Sequence, residues 1–192
     1  MKRLVAAAAI ALTASFAAHA QSSERPFKFV LGLGLTGGGD TLATVQYTNG
    51  NSQKIRAGGL VMLYAGGETR IGELVSLQAT VGYHIDDTNA NNGRVRFSRY
   101  PIDVLAIVPL NDKVRFGAGA QFVNSPKLRS TGAAAGNDAN FDSTVGFVLE
   151  AEYRFTPLIG VKLRGVSEKL KESSTGQGIS GNHGGLLMSL YF

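Results

Sequence analysis

The chain has 192 residues, no cysteine, no tryptophan, 25 glycines and 17% charged residues, with a formal net charge of +5. The length admits one full-sized domain, and the lack of cysteine excludes disulfides and thiolate metal sites. The modest positive charge is no nucleic-acid footprint, and a charged fraction below the usual quarter or so suits a chain with little water-facing surface.

The first twenty residues read as an export signal. Lys2 and Arg3 form a basic start, Leu4 to Ala17 an apolar run, and Ala18-His19-Ala20 a small-x-small cleavage site. The run is shorter than the roughly 20 apolar residues of a spanning helix. Cleavage leaves residues 21–192 as a single domain. Without Lys2 and Arg3, 17 Lys and Arg stand against 14 Asp and Glu, a net of +3. No later stretch reads as a membrane helix or a convincing amphipathic helix.

Strands follow one after another. Phe27 to Thr36 sets Phe27, Phe29, Leu31, Leu33 and Leu35 on one face, with Lys28, Val30, Gly32, Gly34 and Thr36 on the other. Ala57 to Thr69 is apolar and glycine-rich, and its faces are hard to assign. Val75 to Asp86 alternates without a fault, its even positions polar or small, among them Gln78 and His84. Arg99 to Leu110 places Tyr100, Ile102, Val104, Ala106 and Val108 opposite Arg99 and Asp103. Val114 to Val123 sets Phe116 and Phe122 against Arg115 and Gln121. Thr144 to Phe155 sets Val145, Phe147, Leu149, Tyr153 and Phe155 against Glu150, Glu152 and Arg154. Gly160 to Leu170 sets Val161 and Leu163 against Lys162, Arg164 and Glu168. Gly184 to Phe192 closes the set.

Eight strands of mostly about 10 residues fit a tilted bilayer crossing. The connections alternate in length. Arg70 to Leu74, Asn111 to Lys113 and Thr156 to Ile159 are short. Gly37 to Arg56, Asn124 to Phe141 and Lys171 to His183 are long, and Asp87 to Arg94 is intermediate. The expected fold is an all-β, eight-stranded antiparallel up-and-down transmembrane β-barrel with periplasmic turns and outer loops. Within the first long connection, Asp40 to Thr48 has strand character and Asn49 to Asn51 is a turn signal. It reads as the first strand continuing past a bulge at Gly37 to Gly39, so that the first hairpin extends above the membrane; a plain flexible loop is the competing reading.

If the apolar faces meet lipid, the polar faces line a narrow interior that side chains can fill. Charges there must pair, because an isolated buried charge costs several kcal/mol or more. The expected lumen network comprises Arg99, Asp103, Arg115, Glu150, Glu152, Arg154, Lys162 and Arg164. Aromatic residues fall at both rims. Phe27, Phe116, Tyr153, Phe155 and Phe192 lie at the periplasmic end and Tyr83, Tyr100 and Phe122 at the outer end, the girdles of a membrane barrel. The opposite reading is a soluble periplasmic barrel whose apolar face lines a ligand cavity.

The end "LLMSLYF" resembles the C-terminal assembly signal of bacterial outer-membrane proteins, with Leu186, Met188, Leu190 and the final Phe192 at alternate positions. Such families often carry glycine five places before the last residue, where this chain has Leu187. Over residues 21–192 the protein looks like the small outer-membrane barrels of the OmpA and OmpX type. The resemblance implies outer-membrane residence, insertion by the barrel assembly machinery, and contact with outer-membrane lipid and lipopolysaccharide, with a monomer favoured.

Motifs for chemistry are few. "GLGLTG", Gly32 to Gly37, fits the dinucleotide pattern, but no helix follows and the next acidic residue after Asp40 is Glu68. Close packing in a strand explains these glycines better. His84, Asp142 and Ser143 fall near the outer rim and resemble the sites of lipid A acyltransferases and deacylases. The acyltransferases' N-terminal amphipathic helix and the deacylases' His-x-Ser pair are both missing here, and His84 reads as a hydrogen-bonded lumen residue. The sequence therefore points to no enzyme, no cofactor, no metal and no nucleic acid. It favours a structural or surface-interaction barrel with a side-chain-filled lumen, against a narrow pore for ions or small solutes, and behind that a rim enzyme.

Overall fold

The computed structural model describes residues 27–47, 50–90, 93–136 and 138–192. The export-signal expectation for Met1 to Ala20, and Asn49 of the turn signal, lie outside them. The described chain forms thirteen strands: β1 (Phe27–Gly38), β2 (Thr41–Gln46), β3 (Ser52–Arg56), β4 (Leu60–Arg70), β5 (Ser76–Ala90), β6 (Gly93–Pro109), β7 (Val114–Gly132), β8 (Ala139–Asn140), β9 (Thr144–Thr156), β10 (Ile159–Ser167), β11 (Lys169–Lys171), β12 (Gly178–Ser180) and β13 (His183–Tyr191).

Eight of them close a barrel. Each long strand pairs antiparallel with its neighbours in the order β6-β5-β4-β1-β13-β10-β9-β7, and β6 pairs with β7 to complete the ring. The first and last strands meet as Val30 opposite Tyr191 through Gly38 opposite His183, and Phe29 and Phe192 exchange backbone hydrogen bonds of 3.0 Å. Among the described residues, closure leaves the eight-stranded ring without a free edge strand.

Alternation decides which side chain points where. Leu33, Leu63, Val81, Leu149 and Leu163 project from the outer wall and are 51–65% exposed, whereas Gln78, His84, Arg99, Asp103, Gln121 and Lys162 inside are at most 2% exposed. An apolar exterior around a polar interior is the reverse of a soluble barrel. The faces left open in the sequence between Ala57 and Thr69 are now fixed: Met62, Tyr64 and Glu68 point inward and Leu63 outward. Gly32 serves close packing. A Cβ there would sit 2.0 Å from the Tyr64 ring, whose hydroxyl is bonded to Ser189 at 2.6 Å.

The two ends differ. The connections at 71–75, 110–113 and 157–158 are short. At the other end, the head, strands run on well past the expected limits. The stretches read as loops at Asp87 to Arg94 and Asn124 to Phe141 are largely strand, since β5 reaches Ala90, β6 starts at Gly93 and β7 reaches Gly132. The physical reason is a bulge. Up to Val123 the odd residues of β7 face inward; beyond it Pro126, Leu128 and Ser130 do. Ser125 takes φ 48°, and the β6–β7 register jumps there, from Tyr100 opposite Asn124 to Ser98 opposite Lys127. One extra residue reverses the alternation and hides the strand from a period-two reading.

The first hairpin also differs in detail. It exists above the barrel, but β2 and β3 form a two-stranded sheet of their own rather than a continuation of β1. Gly38 and Gly39, at φ 132° and 71°, turn the chain out of the barrel sheet, a conformation side chains rarely allow. The hairpin brings Ile55 against an apolar cluster of Ala57, Val95, Phe97, Leu128, Phe141 and Leu170. That cluster is the core of the head.

Candidate functional site

The polar lumen is built in tiers, each crossing between strands that are not neighbours. Nearest the short turns, Arg115 of β7 donates to Glu68 of β4 at 2.6 Å and to Glu152 of β9, with Nε at 3.0 Å. Tyr191 of β13 donates to Glu152 at 2.6 Å and accepts from Arg115 at 2.8 Å.

In the middle, Lys162 of β10 bonds Gln78 of β5 and Glu150 of β9, both at 3.0 Å. Arg164 donates to Glu150 at 2.6 Å and to Asp103 of β6 at 2.8 Å, and Gln121 holds the other Asp103 oxygen at 2.9 Å. β5 and β10 stand on opposite sides of the ring, so the Lys162–Gln78 bond spans the lumen.

Toward the head, Arg99 forms an ion pair with Glu168 and donates from Nε to His84 Nδ1 at 2.9 Å. A guanidinium only donates, so His84 Nδ1 accepts and Nε2 carries the proton toward Thr36 Oγ1, 2.6 Å away. His183 stacks obliquely on His84 with ring centroids 5.2 Å apart. Its Nδ1 donates to the Gly181 carbonyl at 2.7 Å.

The hairpin is stapled above this tier. Arg56 N–H donates to Asp86 at 2.8 Å, Tyr47 bonds Thr88 and Gln53, and Ser180 N–H donates to Asp40 at 2.8 Å. The apolar cluster around Ile55 lies with it over the barrel mouth.

Of the residues singled out in the sequence, Arg99, Asp103, Arg115, Glu150, Glu152, Lys162 and Arg164 all lie inside and all make cross-strand polar contacts. Arg99 pairs with Glu168 rather than with Asp103 on its own strand. Arg154 stands apart: it donates to the Pro157 carbonyl of the adjacent turn and lies over the Tyr191 ring at 5.0 Å. The reason is position, since Arg154 sits at the last turn-side level of β9 and its guanidinium reaches the rim. Glu68 was missed because the faces of its strand were unreadable. Two apolar lumen clusters were missed as well: Leu105, Ile107, Val148 and Val166, and a second with Val30, Met62, Tyr64, Leu187 and Tyr191. Their residues hide among polar ones on the inward faces.

The rim constellation does not assemble. Both ring nitrogens of His84 are engaged inside the lumen, while exposed Asp142 accepts from Ser173 Oγ at 2.6 Å outside it. Among the described residues, no group of three or more His, Asp or Glu is arranged to hold a metal ion. "GLGLTG" is plain barrel strand. On the wall, Leu186 and Met188 face outward, while Leu187 packs inside.

The family model for the outer membrane protein beta-barrel domain matches residues 5–183. Among solved structures, Neisserial surface protein A (NspA) is similar at 11% identity and a TM-score of 0.51, covering 89% of this chain and 100% of its own. Ail, the attachment invasion locus protein of Yersinia pestis, solved with the heparin analogue sucrose octasulfate, is similar at 8% identity and a TM-score of 0.52, covering 88% and 100%. At such identities the likeness is one of fold. No curated protein sequence matches. Closed ring, apolar wall, polar interior and family match agree, and the chain belongs to the outer membrane protein β-barrel domain family.

Proposed function

We propose that the protein is a closed outer-membrane barrel acting through its head as a structural or surface-interaction protein. The observation that carries this reading is the stack of cross-lumen bonds beneath a packed hairpin. A conducting path must pass Arg115–Glu68, Lys162–Gln78, Arg164–Asp103 and Arg99–Glu168 in turn, and then the apolar cluster around Ile55. The charged groups in these tiers are paired, Lys162 with Glu150 as well as Gln78, and would be costly to leave alone, so opening one tier exposes unpaired groups. Leu186, Met188, Leu190 and Phe192 serve in this reading as the stretch met by the assembly machinery, with cleavage after Ala20 preceding it. The protein then works as a monomer in lipid, without a cofactor.

Conductance tests the reading. The folded protein, reconstituted in planar bilayers, is expected to show no steady ohmic channel. Stable conductance from the unmodified protein contradicts the closed barrel and favours the narrow pore.

A further inference from the structure

The mouth of the lumen at the short turns carries more positive charge than its carboxylates neutralise. Following the inward faces down to this end brings in Lys28 of β1, Arg70 of β4, Arg115 of β7 and Arg154 of β9. Two inward carboxylates, Glu68 and Glu152, stand one step further in. Both are already engaged by Arg115. Glu68 accepts from it at 2.6 Å, and Glu152 accepts from it through one oxygen and from the Tyr191 hydroxyl through the other. Arg70 turns to its own connection, donating to the Gly72 and Glu73 carbonyls at 3.2 and 2.8 Å.

Lys28 and Arg154 are left over. Lys28 lies directly opposite Glu68 in the β1–β4 ladder, but the ion pair of Glu68 is with Arg115. Arg154 rests on the Tyr191 ring at 5.0 Å and donates to the Pro157 carbonyl; among the described residues, its buried Nε has no hydrogen-bond partner. Both residues are half-buried, and Lys28 has Arg154, Arg115 and Arg70 among its charged neighbours. A cleft lined by one sign of charge concentrates counter-ions, and a planar guanidinium beside a mobile ammonium suits phosphate oxygens. Parity decides where the anion comes from. Phe27, Phe29, Tyr153 and Phe155 are exposed on the outer wall of the same two strands, at the lipid interface. Lys28 and Arg154 point the other way, toward the water at the periplasmic turns.

We propose that Lys28 and Arg154 hold a soluble phosphate-bearing anion of the periplasm in the turn-side mouth of the lumen. The site lies at the opposite end from the head and goes beyond the surface-interaction reading. The paired tiers above it make it a place of binding and not of passage. Inorganic phosphate and pyrophosphate are titrated into the folded barrel in zwitterionic detergent, at ionic strength held constant with sodium chloride. Arginine Nε–H and backbone amide signals are followed by NMR.

The expected result is a saturable shift of the Arg154 Nε–H signal and of amides around Lys28 and Tyr191. Lys28→Gln and Arg154→Gln should each weaken binding about tenfold, the loss of charge-assisted bonds, while keeping the heat-modifiable gel shift. Arg129→Gln, in the head, should leave these shifts unchanged. If Arg154→Gln fails to fold, Lys28→Gln carries the test. Shifts that do not saturate, that chloride reproduces, or that survive both folded variants overturn the proposal. Absence of any phosphate effect overturns it in favour of Lys28 turning to Glu68. Stronger shifts from phosphatidylglycerol in the micelles than from inorganic phosphate assign the mouth to lipid and overturn it as well. Failure of the closed-barrel reading shows separately, as conductance with phosphate binding intact.

Discussion

Replacing Arg164 by leucine is expected to destabilise the barrel by about 3–5 kcal/mol, the usual cost of removing one partner from a buried ion group. Arg164 is buried and bridges Glu150 of β9 to Asp103 of β6. Without it two carboxylates share the mid-lumen with one nearby cation, Lys162, which forms an ion pair with Glu150 and not with Asp103. Gln121 can still donate to Asp103, but an amide does not neutralise it. Urea unfolding in lipid vesicles, followed by the loss of heat-modifiable migration, measures the change. Adding Asp103→Leu to Arg164→Leu should restore part of the stability, because the abandoned charge goes with its partner. A loss below about 1 kcal/mol for the single variant would mean that these charges behave as solvent-exposed pairs, and the filled lumen would have to be given up.

Leu149→Arg is expected to block insertion. Leu149 is 55% exposed on the outer wall, near the middle of β9, between Ala118 of β7 and Gly165 of β10. A cation there meets hydrocarbon with no acidic neighbour in register, at about 2–4 kcal/mol for a midplane position. Val81→Arg on β5 should behave alike. An arginine at Thr131, which projects from the head, should be tolerated. The readout is the fraction of protein that reaches the membrane and migrates as a compact barrel. Normal assembly of both wall variants would mean that the apolar face does not meet lipid.

The barrel was legible because its strands obey one strict rule. In Val75 to Asp86 every second residue is apolar; within β5 Leu77, Ala79 and Val81 are exposed and Tyr83 and Ile85 half-buried, while Gln78, Thr80, His84 and Asp86 on the other face are buried. The charge-bearing faces of β7, β9 and β10 were legible for the same reason, so seven of the eight expected lumen residues lie in the cross-strand network. Alternation gives a residue's side of the wall, not its partner across the barrel. Hence Arg99 could be placed inside but not matched to Glu168, which depends on ring order and strand tilt.

The head was the illegible part. The bulge at Ser125 reverses the parity of β7, and Asp, Asn and Gly near the tips of β5 and β6 look like loop composition even where they pair in register. Val95, Phe97 and Leu128 belong to an apolar core formed only when the β2–β3 hairpin folds over the mouth, a long-range event that local pattern does not encode. Glu68 was lost in a run of small residues, Ala65 to Gly67, where alternation carries no signal.

Cell fractionation with a heat-modifiable gel shift tests most directly whether lipid solvates the outer wall. The protein should sediment with outer membranes, resist extraction until detergent is added, and migrate faster unheated than boiled. A monodisperse polypeptide released into detergent-free buffer, with no shift on heating, would contradict the account.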